Sequence, residues 1–453
     1  MAVARGDGYA GFPVARGGGR IGLAALPRLL DRPLTSYYLI LGCTALLVAL
    51  GLLMVLSASM IEQLRDTGSP YSLVTTQAMA ACIGLPLMLV AAQLPPRAFR
   101  PLAGPALLVA ILALIAVLFI GESYNTGATQ WLEIGGMTVQ PSEPAKFAFA
   151  LWGANLLARK EELRQLTEWR HLLIPLLPGA GAVVMLVILG GDLGTACILL
   201  VIFLALLWVV GAPAKLFVGM LGLVGLLVGL MVVAAPYRMS RFTSFLNPEA
   251  DPTGTGYQAV RGLYALGSGG LLGVGIGGSR EKWGVFPHTE SDFIFAIIGE
   301  EFGLLGTLLV IGLIGLMGYA GLRVATRATD LFTRLAATAI TAWIVFQALV
   351  NIGAVINLLP ITGVPLPLVS YGGSSLVSTM VAVGMLLAFA KREPGARQAL
   401  AARGPGPARR ALSWLGLEVR GDRLVVRREA PDRRRTPAPR GRATQTPRRE
   451  RRR

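Results

Sequence analysis

Ten apolar runs, each near the length needed to cross lipid, recur along most of the chain: near 37–59, 72–93, 102–120, 144–158, 172–189, 194–210, 215–235, 293–319, 335–356 and 373–390. A hydrocarbon layer of about 30 Å takes roughly 20 apolar residues as a helix, because a backbone in lipid must satisfy its own hydrogen bonds. Barrel strands would show alternation instead. Composition agrees, with 54% hydrophobic and 15% charged residues. The expected fold is therefore all-α, a polytopic membrane protein with about ten transmembrane helices. The first run is longer than a signal-peptide core and is followed by nine more, so it is read as retained.

Positive charge sets the expected orientation, since short cytoplasmic connections collect Lys and Arg. The N-terminal arginines, Arg97 and Arg100, the cluster from Arg159 to Arg170, Lys215, the cluster from Arg323 to Arg334 and the tail fall on one side. The opposite short connections hold Arg65 alone. Both termini are expected to be cytoplasmic, which an even number of spans requires. Three outward segments remain for chemistry: 121–143, 236–292 and 357–372. The large outward loop between the seventh and eighth spans is too long for a simple connection, so it is expected to lie ordered over the outer face or to fold partly back into the membrane.

The formal net charge of +17 is concentrated at one end. Residues 391–453 hold 20 of the 42 Lys and Arg against six acids. A Pro-, Ala- and Arg-rich stretch without apolar periodicity reads as a disordered basic tail against an anionic leaflet. Nucleic acid is not an expected partner, because no aromatic interleaving or fold motif accompanies the charge. The expected division is thus a cytoplasmic N-terminal segment over 1–35, a transmembrane domain over 36–392 and the tail over 393–453. Cys43, Cys82 and Cys197 all lie in apolar runs and read as packing residues, and His171 and His288 are too far apart in sequence to suggest a histidine-rich metal site.

Asp292 stands where the long polar segment opens into the eighth apolar run. A carboxylate there sits at a membrane surface, where it either caps the helix or serves chemistry on a lipid-borne substrate. Arg241, Arg261, Arg280 and Lys282 lie in the same segment, suited to an anionic group or to lipid headgroups. Glu143 and Lys146, three apart at the start of the fourth span, can face one another as a functional acid–base pair or as a lock between helices. Asp192 lies between two spans, as a turn cap or a cavity residue. Glu300 and Glu301 follow Asp292 by two helical turns or more, and one of them is expected to face an internal polar cavity. Trp131 suits an interfacial anchor or a substrate wall. In the last outward segment Pro360, Pro365, Pro367 and Gly372-Gly373 break helix geometry while Ser370, Tyr371, Ser374 and Ser375 offer hydroxyls, the pattern of a re-entrant wall.

Gln140-Pro-Ser-Glu-Pro-Ala-Lys146, Gly191-Asp-Leu-Gly-Thr195, Gly256-Tyr-Gln258, Lys282 through Pro287 to Asp292-Phe-Ile-Phe-Ala296, and Leu366-Pro-Leu-Val-Ser-Tyr-Gly-Gly-Ser-Ser375 together resemble the SEDS family of shape, elongation, division and sporulation proteins. The similarity covers roughly residues 36–392 and is strongest to the division type. It implies a peptidoglycan glycosyltransferase that polymerises lipid II at the outer face of the cytoplasmic membrane during septal wall synthesis. Asp292 matches the family's essential aspartate and is assigned as the general base or the residue that positions the acceptor. Arg241 and Lys282 match family positions that would face the departing pyrophosphate. Departures occur at Glu290, where the family often has histidine, at Gln130, where arginine is usual, at Gly191 in place of proline and at Arg261, where glutamine is common.

The implied partners are lipid II, a class B penicillin-binding protein and other division proteins. A divalent cation, Mg or Mn, is compatible with pyrophosphate chemistry, but no ligand set in the sequence defines a metal site. Rival readings are a lipid II flippase, an elongation-type polymerase and a non-catalytic scaffold.

Overall fold

The computed structural model describes residues 33–121, 129–134, 137–163, 174–234, 256–282 and 290–396, a few isolated positions, and residues 417–420 and 423–426. In chain order its helices are α1 (Thr35–Thr67), α2 (Ser72–Ala91), α3 (Pro96–Phe99), α4 (Ala103–Ile120), α5 (Ser142–Glu162), α6 (Leu176–Leu189), α7 (Leu193–Val210), α8 (Ala214–Ala234), α9 (Tyr257–Gly269), α10 (Ile294–Arg327), α11 (Leu331–Val355) and α12 (Gly373–Ala390). All ten expected spans are helices, and α3 and α9 are the additions. Among the described residues, seven helices are long and apolar enough to cross a membrane by length and composition alone. Of the others, α6 is shorter, and α5 has charged residues at both ends.

Local chemistry sets the ends of these helices. Asp192 caps α7 through the Thr195 amide and Asp330 caps α11 through the Thr333 amide, each at 2.9 Å. Gly68 and Gly211 close α1 and α7 in the left-handed region. Between helices in lipid the hydrophobic effect gives little net drive, so close backbone approach matters more. Gly84 of α2 and Gly384 of α12 supply it: a Cβ on Gly384 would lie 2.4 Å from the Met88 carbonyl oxygen, and one on Gly84 would lie 2.7 Å from Met380 Sδ. Helix α11, with Trp343 fully buried, packs against α5, α7 and α10 at the centre of the bundle.

The eighth span departs from a plain helix. Gly303, at φ 66° and ψ −160°, breaks α10 into a short leading piece and a long crossing piece. Polar backbone freed at such a break must find partners away from water. The loop after α9 provides them: Val274 and Gly275 amides donate to the Glu300 and Glu301 carbonyls at 2.9 and 3.1 Å, and the Leu304 amide donates to the Gly270 carbonyl at 2.9 Å. Part of the 236–292 segment therefore lies against α10, as the expectation of a folded-back loop requires.

Gly273 permits that approach, since its φ is 81° and a Cβ there would lie 2.1 Å from the Glu301 carbonyl oxygen. Gly270 has φ 55° and nothing within 4 Å of the same position. Gly273→Ala is expected to cost about 1–3 kcal/mol from overpacking and backbone strain, clearly more than Gly270→Ala. Thermal unfolding of the purified variants measures this, and equal losses would contradict the close approach.

The described residues also include two hairpins. Leu132–Ile134 (β1) pairs with Met137–Val139 (β2) antiparallel ahead of α5, and Leu417–Arg420 (β3) pairs with Arg423–Val426 (β4) within the basic tail. The tail, expected to be without structure, thus contains a hairpin, and β4 touches α3.

Candidate active site

One end of the bundle gathers the starts of α5, α7, α10 and α12, the end of α11 and the connection 356–372. Asp292 lies in the turn leading into α10. The cap position of that helix falls to Phe293, which has no side-chain oxygen to offer. The Asp292 carboxylate borders the loop before α12: a Cβ on Gly363 would sit 3.6 Å from Asp292 Oδ2, and the φ of 72° at Gly363 favours glycine there.

Two amides on α11 hold this arrangement. Asn351 Nδ2 donates to the Asp292 carbonyl at 2.8 Å and to the Val364 carbonyl at 2.9 Å. One turn earlier, Gln347 Nε2 donates to the Pro365 carbonyl at 2.9 Å. The Gln347 oxygen accepts from Lys146 Nζ at 2.8 Å and from Trp343 Nε1 at 2.7 Å. Lys146 also pairs with Glu143 at 2.8 Å, both essentially inaccessible to solvent. The sequence pair Glu143–Lys146 is therefore linked through Gln347, along α11, to the loop beside Asp292.

Asp192 joins the same end by a second route. Its Oδ2 accepts from Gln140 Nε2 and Ser142 Oγ at 3.1 Å each, while the Gln140 amide donates to Ser374 Oγ at 3.3 Å. Burial pushes the Asp192 carboxyl up, against the hydrogen bonds from Thr195 that pull it down. Asp192 thus caps α7, as the turn-cap reading expects, and also braces the start of α5. Gly194 lets α7 approach the loop, since a Cβ there would lie 2.3 Å from Val364 Cγ2.

The loop before α12 is fastened at several points. Ser370 Oγ accepts from the Leu366 amide at 2.8 Å, fastening its own turn, and the Tyr371 amide donates to the Glu290 carbonyl at 2.8 Å. Burial, and after it the Glu290 charge, holds the Tyr371 hydroxyl above its usual range, which keeps it a neutral donor. Gln77 of α2 clamps the segment, donating to the Ser370 carbonyl and accepting from the Gly372 amide at 3.1 Å each. Ser375 is buried at the first turn of α12, and Trp131 is half-buried just ahead of β1.

Lys282 belongs to a separate network. Its ammonium donates to Glu301 Oε1 at 3.1 Å and to Ser57 Oγ at 3.2 Å, and Ser57 donates to the same carboxylate at 2.7 Å. Glu300 accepts from the Ser279 hydroxyl and from the Arg280 amide. The two adjacent acids thus anchor the loop that follows α9. Arg261 pairs with Glu281 at 3.4 Å, while Arg280 is exposed. Arg241 and His288 lie outside the described residues. Among the described residues no three His, Cys, Asp or Glu side chains gather to hold a metal ion.

Gln77, Gln347 and Asn351 are the site residues that sequence reasoning missed. Their signal was present, as amides inside apolar runs, two of them at the i, i+4 spacing that shares a helix face.

The order of these motifs recurs in known proteins. The cell cycle protein family of FtsW, RodA and SpoVE matches residues 37–394. The chain belongs to this family. One member, the probable peptidoglycan glycosyltransferase FtsW of Mycobacterium tuberculosis, is 41% identical over 375 residues, covering 82% of this chain and 71% of that protein. Another, the stage V sporulation protein E of Bacillus subtilis, is 37% identical over 347 residues, 76% of this chain and 94% of the relative. A solved family structure, described as structural coordination of polymerization and crosslinking by a peptidoglycan synthase complex, superposes with a TM-score of 0.64 at 29% identity. It covers 79% of this chain and 98% of the other.

Proposed function

We propose that this family member is a peptidoglycan glycosyltransferase of the division type, which polymerises lipid II into glycan strands. The observation that carries the proposal is the placement of Asp292: ahead of a broken helix, outside the cap position, with its carboxylate against Gly363 in a wall fastened by buried amides. In the reaction the 4-hydroxyl of one disaccharide attacks C1 of another. Asp292 takes the hydroxyl proton as the new β-1,4 bond forms and the α-bond to the lipid pyrophosphate breaks, its electron pair leaving with the pyrophosphate. Positive charge facing that group lowers the barrier. Arg241 and Lys282 are assigned to it by the family positions they match, and Lys282 would have to exchange its Glu301 and Ser57 partners to reach it. Ser374, Ser375, Tyr371 and Trp131 are assigned to the substrate wall, while Glu143, Lys146, Asp192 and Ser370 support it.

The partner reading follows the same likeness. The related structure is described as coordinating polymerization with crosslinking, which supports a class B penicillin-binding protein as the companion of this chain. The proposed location is the cytoplasmic membrane at the septum, with both termini cytoplasmic and the Asp292 end outside.

Buried ion pairs within a bundle also suit a transporter, which keeps lipid II flipping as the second reading. Purified protein reconstituted with lipid II separates the two. Glycan strands are expected; leaflet exchange without strands would replace the enzyme by a flippase.

Sidedness has its own test. Ser268 is exposed, and Cys82 is the exposed native cysteine among the described residues. In a Cys82→Ala background, Ser268→Cys is expected to react with a membrane-impermeant thiol reagent in cells whose outer barriers alone are permeable. Labelling only after membrane lysis would reverse the orientation.

A further inference from the structure

The end of the bundle opposite Asp292 encloses a cavity of about 340 Å³. Its walls come from α3 and the residue after it, the end of α5, the end of α10, the turn to α11 and the first residues of α11, Phe389 of α12, and Arg392 and Glu393 beyond it. From these separate connections Arg97, Arg100, Arg327 and Arg392 face one space. It lies roughly the length of α10 away from Asp292, about 50 Å at the rise of an α-helix, so it is no part of the site described above.

The carboxylates on the lining are already engaged. Glu162 pairs with Arg100 at 2.9 Å, and Asp330 spends an oxygen on capping α11. Glu393, buried, lies 3.8 Å from both Arg323 and Arg327 and holds those two guanidinium groups together. Among the described residues, and counting Arg323 behind the lining, five guanidinium groups stand against three carboxylates, so this lining keeps a positive excess. Arg97 is exposed and makes no ion pair among the described residues. Helix C-termini favour cations, which accounts for basic residues near the ends of α5, α10 and α12. It does not account for Arg97, which lies on α3, a connection outside those helices, yet lines the same space.

We propose that this cavity binds a phosphate-bearing anion. Its volume is that of a small-molecule site. Guanidinium forks match phosphate oxygens, and forks arriving from several directions suit a tetrahedral group better than a planar carboxylate, which one or two forks satisfy. Basic pockets between helices at a membrane surface suit phospholipid headgroups. A soluble phosphate compound offers the same chemistry. Either ligand would tie the α2–α4 connection to the α10–α11 turn and the end of α12.

The test uses the full chain in nanodiscs, which expose both faces and so do not depend on orientation or on enzymatic activity. In one arm phosphatidylcholine discs are compared with discs containing phosphatidylglycerol, in phosphate-free buffer; in the other, inorganic phosphate is titrated into phosphatidylcholine discs at constant ionic strength. A ligand of the folded state raises the melting temperature with concentration. The expected result is such a rise in at least one arm: with phosphatidylglycerol alone the ligand is a lipid, with inorganic phosphate alone it is soluble. Arg97→Gln should reduce the rise by half or more and Arg97→Glu should abolish it, both without loss of packing because the side chain is exposed. Arg334→Gln, an exposed arginine off the lining, should leave it intact. No rise in either arm, a full rise in Arg97→Glu, or an equal loss in Arg334→Gln would overturn the site.

Discussion

Asp292→Asn is expected to lower lipid II polymerisation at least about a hundredfold, the lower range for losing a general base. The substitution keeps the volume and a polar side chain while removing basicity. The Asn351 bond is made to the backbone carbonyl of residue 292, so it survives, and with it the link between α10, α11 and the Val364 carbonyl. Folding should therefore be retained, since no core cavity opens. Lipid II binding should weaken less than turnover, because the proton is lost mainly in the transition state. A purified, folded Asn variant polymerising near the wild-type rate would remove Asp292 from the chemistry. If neither form polymerised and the variant lost lipid II exchange, the transporter reading would take its place.

The spans were legible because each is set by a local property, the apolar run, and lipid demands a helix of any such run. What the sequence leaves out are features decided by distant partners. The break at Gly303 lies inside the eighth apolar run, just after Glu300 and Glu301, and it is tolerated because residues 270–275 arrive to take up the freed backbone groups. Lys282 reads as a cation available to substrate; its pairing with Glu301 and Ser57 depends on α1 lying beside α10, which no local pattern states. Asp292 was legible as an acid at a boundary, but its place beside Gly363 depends on a loop some seventy residues further along the chain. The hairpin within the tail had a local signal of its own. Leu417 to Arg420 and Arg423 to Val426 alternate or cluster apolar residues around Gly421-Asp422, a hairpin signal that the surrounding arginines obscured.

Lys146→Met is expected to cost about 3–5 kcal/mol of stability, because it leaves Glu143 as an uncompensated buried charge. Glu143 Oε2 already lacks a hydrogen-bond partner, so Lys146 carries most of the compensation. The Lys146 ammonium also lies 5.2 Å from the Trp343 ring, and methionine replaces its stem but neither its charge nor its donors. Adding Glu143→Gln should recover most of the loss, since a buried pair exchanged for uncharged groups of similar volume is often close to neutral. Gln347 would keep its Trp343 donor and its hold on the Pro365 carbonyl. The double variant should therefore unfold near the wild-type temperature and still polymerise lipid II, whereas the single variant should do neither. That outcome makes the pair a lock that supports the wall beside Asp292. A double variant that is stable yet inactive would instead place Lys146 against the substrate, and the wall would have to open to admit it.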